Sequence, residues 1–235
     1  MGGPHPTYFP DVVNKLDLDA ICAGDGERAI LELCKAFSEG REPIHIPNVA
    51  TKNTPITTKE VVEDMDEVPF ADREMFYNAA PEMLDHGIRS ILTMKGCPYK
   101  CTYCASPFHW DRKTTRLRSP ESVIEEMIHL KENYWSAVKF DYAASANISD
   151  KESLKIKDNT IVYFVDDVFT VNKKRVKKLL RMIIDQKLEM KWKCEARADH
   201  LDDEICELMA EAGCERVKIG FESGSNKILK QIKKL

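Results

Sequence analysis

A regular alternation of apolar strands with amphipathic helices, which begins near residue 90, is the strongest constraint on the fold of this chain. The strand-like runs are residues 91–94, 160–165, 190–195 and 215–220. The helix-like runs are residues 119–133, 173–186, 202–211 and 225–233. Strands separated by helices of this length pair side by side in parallel. The sequence therefore predicts an α/β fold, a partial parallel barrel of about four β-α units.

The N-terminal segment carries one further β-α unit. Residues 18–23 are strand-like, Gly24 and Gly26 supply a turn, and residues 27–37 have apolar side chains at helical spacing. Such a unit has the size of the last piece of a doubly wound α/β domain and is too small to fold alone. We therefore predict that residues 1–40 are the C-terminal remnant of a doubly wound domain.

Composition suggests the remaining boundaries. Residues 41–88 hold five prolines and little periodicity, which is typical of a linker, and residues 139–159 form a polar stretch that predicts a surface insertion. The core domain, residues 89–235, ends in its fourth β-α unit, whereas a complete eight-unit barrel takes about 250 residues. We expect either a fragment truncated at its C-terminus or an open sheet edge that a partner covers.

Charge and hydropathy exclude several classes of function. The net charge of −4 offers no basic excess for nucleic acid. No apolar run approaches the roughly 18 residues that a membrane-spanning helix needs. The first residues also lack the charged start and apolar stretch of a signal peptide. A cytoplasmic location is therefore predicted.

Eight cysteines are distributed unevenly along the chain. Five stand singly in apolar segments and are interpreted as buried thiols: Cys22, Cys34, Cys194, Cys206 and Cys214. The other three, Cys97, Cys101 and Cys104, form a C-x3-C-x2-C motif directly after a predicted strand. Thiolates select iron–sulfur clusters or zinc, and three sulfurs on one loop leave the fourth iron of a cubane open for chemistry. A zinc site with His109 as fourth ligand, or a redox pair at Cys101 and Cys104, is the alternative.

The cysteine motif resembles the signature of the radical S-adenosylmethionine superfamily. Tyr103 stands before the third cysteine, where that signature usually has an aromatic residue. The flanks are similar to the subgroup with an N-terminal cobalamin-binding domain, through RSILTMKGCPYKCTYC at 89–104, RLRSPESVIEEM at 116–127, VDDVF at 165–169, WKCEAR at 192–197 and GFESGS at 220–225. The chain also resembles the end of the cobalamin domain itself, through GGPHPTYFP at 2–10 and ICAGDGE at 21–27.

The resemblance implies an enzyme that binds a [4Fe–4S] cluster through the three cysteines and reductively cleaves S-adenosylmethionine to a 5′-deoxyadenosyl radical. It implies cobalamin-dependent methyl transfer or another radical modification in the complete protein, although residues 1–40 alone are expected not to hold cobalamin. A small-molecule substrate and a reductant such as flavodoxin or ferredoxin are also implied. The alternatives are a methylthiotransferase-like radical enzyme and a non-catalytic iron–sulfur or zinc module.

Contacts to S-adenosylmethionine are implied at the strand ends, where parallel β/α barrels place functional residues. Asp166 or Asp167 would accept hydrogen bonds from the methionine ammonium or the ribose, and the alternative is that they bind backbone amides. Arg197 would pair with the methionine carboxylate through its planar fork. The alternative for Arg197 is an ordinary ion pair with Asp199.

Further cofactor contacts are implied after the last predicted strand. Glu222 would bind ribose hydroxyls, and Gly220 and Gly224 would let the backbone approach the ligand closely. Lys95 and Lys100 flank the first two cysteines. Both lysines are expected to be solvated.

Overall fold

In the computed structural model, the N-terminal 68 residues fold around a two-stranded antiparallel sheet. The structure describes residues 1–79, 88–106, 115–135 and 161–234. The N-terminal elements are α1 (Pro4–Tyr8), α2 (Val12–Lys15), β1 (Ala20–Cys22), α3 (Glu27–Ser38) and β2 (Val49–Thr51). Ile21 of β1 lies opposite Ala50 of β2, and both pack against Val12 and Val13. This small core accounts for the predicted strand and adds a partner strand that the sequence did not predict.

The described residues group into two compact units. The first unit consists of Met1–Val68, Lys95–Leu117 and Ser223–Leu235, and the second of Pro69–Met94 and Arg118–Glu222. Strand β2 and Val62 of the first unit both come from residues 41–88, which composition suggested to be a linker. The division into residues 1–40, 41–88 and 89–235 stays a prediction, and the predicted insertion at 139–159 lies outside the described residues.

The second unit is built on a four-stranded parallel sheet. From residue 73 onward the described elements are α4 (Arg73–Ala79), β3 (Ile88–Ile91), β4 (Met94–Lys95), β5 (Arg116–Leu117), α5 (Pro120–Tyr134), β6 (Ile161–Phe164), α6 (Lys173–Asp185), β7 (Trp192–Ala196), α7 (Asp203–Glu211), β8 (Cys214–Ile219) and α8 (Asn226–Gln231). The sheet order is β3-β6-β7-β8, and each neighbouring pair is parallel. The predicted succession of four β-α units is therefore confirmed.

Side-chain caps start the helices that cover this sheet. The Ser119 hydroxyl accepts a hydrogen bond from Ser122 N at 3.1 Å, with Pro120 in the first turn of α5. Asn172 and Asp202 cap α6 and α7 in the same way. In the described part of the chain, no helix is both long and apolar enough to span a bilayer.

Three aromatic side chains form the centre of the core. Phe164 stacks on Phe169 with ring centroids 4.8 Å apart, and Trp192 meets Phe164 edge to face at 5.4 Å. Trp192 Nε1 donates a hydrogen bond to Ala212 O at 2.7 Å. The indole is therefore buried without an unsatisfied donor, which is the usual arrangement for a core tryptophan.

Gly213, between α7 and β8, has a backbone that other residues disfavour. Its φ is +90°, and an added Cβ would lie 2.5 Å from Met190 O. We expect Gly213→Ala to lower the free energy of unfolding by more than the roughly 1–2 kcal/mol that a left-handed backbone costs. Gly24→Ala is the matched control, because Gly24 has the same φ but open space around the added Cβ. Urea unfolding measures both, and equal losses would contradict the expected clash.

Candidate functional site

The three cysteines of the motif lie on one loop of the first unit. The loop begins after β4 at Gly96, whose φ is +90°, and Cys97, Cys101 and Cys104 are all half-buried. Cys104 N donates a hydrogen bond to Cys101 O at 3.1 Å, so the last two cysteines share a tight turn. None of the eight cysteines, all of which are described, forms a disulfide. The thiols are thus presented on a short, turn-containing loop. The prediction that the other five cysteines are buried is correct only for Cys194 and wrong for four: Cys34 and Cys206 are exposed, and Cys22 and Cys214 are half-buried.

Two distant segments of the first unit hold this loop. Tyr8 Oη in α1 donates a hydrogen bond to Ala105 O at 2.7 Å, directly after the third cysteine. Thr102 N, between the second and third cysteines, donates to Ile232 O at 3.0 Å. The N-terminal segment and the end of the chain therefore support the cysteine loop.

The expectation that Lys95 is solvated is wrong. Its side chain is 5% exposed, and Nζ binds the carboxylates of Asp25 and Glu27. The sequence suggested a solvated lysine because its partners are about 70 residues away along the chain. Lys100 is exposed, as expected.

The donor set fits an iron–sulfur cluster, since such clusters are held by cysteine thiolates. Among the described residues, no three His, Cys, Asp or Glu side chains converge on the position of a single metal ion. A closed zinc site would bring four ligands to one ion at roughly 2 Å. His109, the fourth ligand of the zinc alternative, lies outside the described residues.

Three groups of predicted cofactor residues follow neighbouring strands of the second unit. Asp166 and Asp167 follow β6, Arg197 follows β7, and Gly220 and Glu222 follow β8. Since β6, β7 and β8 are parallel, their carboxyl ends lie at one edge of the sheet. The structure therefore brings these positions to a common edge.

Asp166 is buried, and both of its oxygens accept hydrogen bonds. Thr93 N and Met94 N donate to Oδ1 at 2.7 and 3.1 Å, and Thr93 Oγ1 donates to Oδ2 at 2.5 Å. Burial raises the pKa of Asp166 to about 6, against the effect of these hydrogen bonds and of Arg175. The carboxyl group therefore binds backbone amides, as in the alternative interpretation. Asp167 beside it is exposed.

Two buried arginines, which the sequence analysis missed, hold the same short segment. Arg175 Nη2 donates to Thr93 O at 3.1 Å, and Arg118 Nη1 donates to Leu92 O at 3.1 Å. Arg118 also forms an ion pair with buried Glu126. The two arginines bind the carbonyl groups of Leu92 and Thr93, between β3 and β4, where the predicted strand 91–94 is interrupted; Arg118 N also donates to Thr93 O at 3.0 Å. The sequence did contain a signal for this cluster, because Glu126 in α5 and Arg175 in α6 are charged residues at positions that face the core.

Arg197 is buried, and Asp199 occupies its guanidinium. Nε donates to Asp199 Oδ1 at 2.9 Å and Nη2 donates to Oδ2 at 3.0 Å. The hydrogen bonds from Arg197 lower the pKa of Asp199. A methionine carboxylate would need the same kind of planar fork. The ion-pair alternative is therefore the arrangement in this structure, and the cofactor contact stays a prediction.

The remaining predicted positions are accessible. Glu222 is exposed and has a φ of +60°, which is uncommon for a residue other than glycine. Gly220 is exposed as well. In the first unit, Tyr103 is 51% exposed, and a Cβ added at Gly224 would meet no atom within 4 Å. These positions leave room for a ligand, and their roles stay predictions.

Sequence comparisons relate the chain to methyltransferases, although no family model matches it. It is 30% identical over 244 residues to an uncharacterised methyltransferase of Pyrococcus horikoshii, a match that covers 100% of the chain and 47% of that protein. It is 22% identical over 269 residues to cytidylyl-2-hydroxyethylphosphonate methyltransferase of Streptomyces wedmorensis, covering 99% of the chain and 46% of the relative. The chain thus spans about half the length of these curated relatives.

A solved structure shares the fold. The radical S-adenosylmethionine methyltransferase TsrM from Kitasatospora setae, with tryptophan substrate and a S-adenosylmethionine analogue bound, aligns with a TM-score of 0.68 at 22% identity. The alignment covers 97% of this chain and 42% of that protein. A second structure of TsrM contains cobalamin and a [4Fe–4S] cluster. The likeness confirms the predicted fold class, an α/β chain with a parallel sheet.

Proposed function

We propose that the chain belongs to the radical S-adenosylmethionine superfamily and that Cys97, Cys101 and Cys104 hold a [4Fe–4S] cluster. The observation that carries the proposal is the loop itself, on which three half-buried thiols stand between anchored segments. When bound, the cluster supplies the electron that cleaves S-adenosylmethionine into methionine and a 5′-deoxyadenosyl radical. The residues of the chain bind, orient and shield the cofactor.

The strand ends of the second unit supply the proposed cofactor contacts. Asp167, which is exposed, is the proposed acceptor of hydrogen bonds from the methionine ammonium or the ribose, because the carboxylate of Asp166 is occupied by Thr93. Glu222, which is also exposed, is the proposed partner of the ribose hydroxyls, and Gly220 lies close to it along the chain. In the first unit we assign contacts to Tyr103 and Gly224. We assign Asp166 a supporting role in place of a direct one.

The complete protein is proposed to transfer a methyl group with cobalamin to a small-molecule substrate. Both relatives described above are named as methyltransferases, and one TsrM structure contains cobalamin. A flavodoxin or ferredoxin is the proposed source of the electron, and the cytoplasm the proposed location. Residues 1–40 are proposed to be the end of the cobalamin-binding domain.

Anaerobic reconstitution tests the cluster. The protein should bind about four irons with matching sulfide and turn brown. After reduction it should release 5′-deoxyadenosine and methionine from S-adenosylmethionine. A colourless protein with one tightly bound zinc would overturn the proposal, and a brown protein that never cleaves S-adenosylmethionine would favour the non-catalytic alternative.

Arg197→Lys tests the proposed contact with the methionine carboxylate. Lysine keeps the charge but cannot donate two parallel hydrogen bonds. If Arg197 leaves Asp199 for the cofactor, the dissociation constant of S-adenosylmethionine should rise roughly ten-fold or more. Arg181→Lys is the control, because Arg181 is an exposed arginine paired with Glu204. Calorimetric titration decides, and equal affinities of both variants would restrict Arg197 to its ion pair.

A further inference from the structure

A single buried carboxylate, that of Asp25, contacts both flanks of the cysteine loop. Lys95, two residues before Cys97, places Nζ 3.3 Å from Asp25 Oδ1. Arg116, beyond the third cysteine, binds the same carboxylate through both terminal nitrogens, with Nη2 3.3 Å from Oδ1. All of these residues belong to the first unit. One residue before the cysteines and one residue after them therefore bind the carboxylate of Asp25.

The charges around Asp25 balance. Lys95 also binds Glu27, so two cations face two carboxylates. The side chains of Asp25, Lys95 and Arg116 are 3%, 5% and 4% exposed. Burial opposes ionisation of Asp25, but the hydrogen bonds from Arg116 and Val62 and the charge of Lys95 outweigh it, so its pKa lies below the ordinary value. Removing one member would leave the others buried without full compensation.

Asp25 is itself held rigidly. Val62 N donates to Oδ2 at 2.9 Å, and Asn48 Nδ2 donates to the Asp25 carbonyl oxygen at 3.0 Å. Asn48 Nδ2 also donates to Glu60 O at 2.7 Å. Residues outside the cysteine loop, on both sides of β2, therefore also fix Asp25, through its carboxylate at Val62 and through its carbonyl oxygen at Asn48. A fixed anion that binds both ends of a loop reduces the conformational freedom of the residues between them.

We propose that Asp25 is a positioning residue for the cysteine loop: it binds Lys95 and Arg116 and thereby holds Cys97, Cys101 and Cys104 in place before any cluster is bound. The N-terminal segment then has a role in the cluster site as well as in its own domain. The consequence for cluster loading rests on the proposed function, but the positioning of the thiols does not.

Alkylation of single cysteines in the cluster-free protein tests this proposal. Limited iodoacetamide treatment followed by mass spectrometry gives a rate for each thiol. Loss of a charge-assisted hydrogen bond should raise the population of loop conformations that expose the thiols by roughly ten-fold or more. Asp25→Asn should therefore raise the alkylation rates of the three loop cysteines by about that factor. Buried Cys194 reports on the second unit, whereas Cys22, whose Sγ donates to Asp25 O at 3.5 Å, reports on the immediate surroundings of Asp25.

The controls separate positioning from general loss of structure. Asp17→Asn removes an exposed ion pair with Lys52 in the same unit and should leave every rate unchanged. Lys95→Met removes one flank contact and keeps the apolar stem, so it gives a second test if Asp25→Asn does not fold. Unchanged alkylation rates of the loop cysteines, or an equal acceleration of buried Cys194, would overturn the proposal. Iron retention by the reconstituted variants is read separately, so absence of a cluster would count against the proposed function alone.

Discussion

Alanine at any one of Cys97, Cys101 or Cys104 is expected to abolish the iron–sulfur cluster. Three thiolates hold three of the four irons and leave the fourth open, so the loss of one thiolate leaves too few ligands. No other cysteine is close to this loop in the sequence and could replace it. Each variant should lose nearly all of the about four irons expected after anaerobic reconstitution, together with the brown absorbance. The effect should be of equal size at the three positions, because each thiolate would bind a different iron of the proposed cluster.

Cys206→Ala is the matched control for these variants. Cys206 is an exposed free thiol on α7 of the second unit. It should keep full iron and sulfide. A variant at Cys97, Cys101 or Cys104 that keeps its iron would remove that residue from the ligand set. If the parent protein instead binds one zinc ion and these variants lose it, the zinc alternative would be correct.

Periodicity carried most of the fold prediction. Helix α6 was expected at 173–186 and is Lys173–Asp185, and α7 was expected at 202–211 and is Asp203–Glu211. Both have side-chain caps at their starts, so local chemistry and packing agree. The short elements were not predictable in this way, because β2 has three residues and α2 has four. Elements this short contain only one to two periods of the hydrophobic pattern, so tertiary contacts and not periodicity define them.

The candidate site was predictable in residue type but not in role. Two adjacent acidic residues after a strand predict a functional site at that edge of the sheet. Only their burial in the structure shows that Asp166 and Asp167 differ in role. The alternation of β6 continues beyond its end: Phe164 is buried, Val165 exposed, Asp166 buried and Asp167 exposed. Period-two alternation was therefore a usable signal for the inward acid. The contacts of Asp25 had no such signal, because its partners lie about 70 and 90 residues away.

We expect Asp166 to support the structure and Asp167 to bind the cofactor, and alanine variants should separate the two roles. Asp166→Ala removes the acceptor of three hydrogen bonds, two from Thr93 and one from Met94. It also removes the negative charge that interacts with Arg175. We expect a loss of roughly 3–5 kcal/mol in the free energy of unfolding, the usual cost of removing one partner from a buried charged network. Thr93→Val, which removes only the hydroxyl bond, should cost about 1–3 kcal/mol and remains measurable if Asp166→Ala does not fold.

Asp167→Ala should do the opposite. As a surface substitution it should change the free energy of unfolding by at most about 0.5 kcal/mol. If Asp167 binds the methionine ammonium or the ribose, the dissociation constant of S-adenosylmethionine should rise roughly ten-fold. Urea unfolding and calorimetric titration on the reconstituted protein give both quantities for each variant. Weaker cofactor binding by Asp166→Ala at unchanged stability would place the ligand at the buried acid, because only a direct contact would spare the fold while reducing affinity.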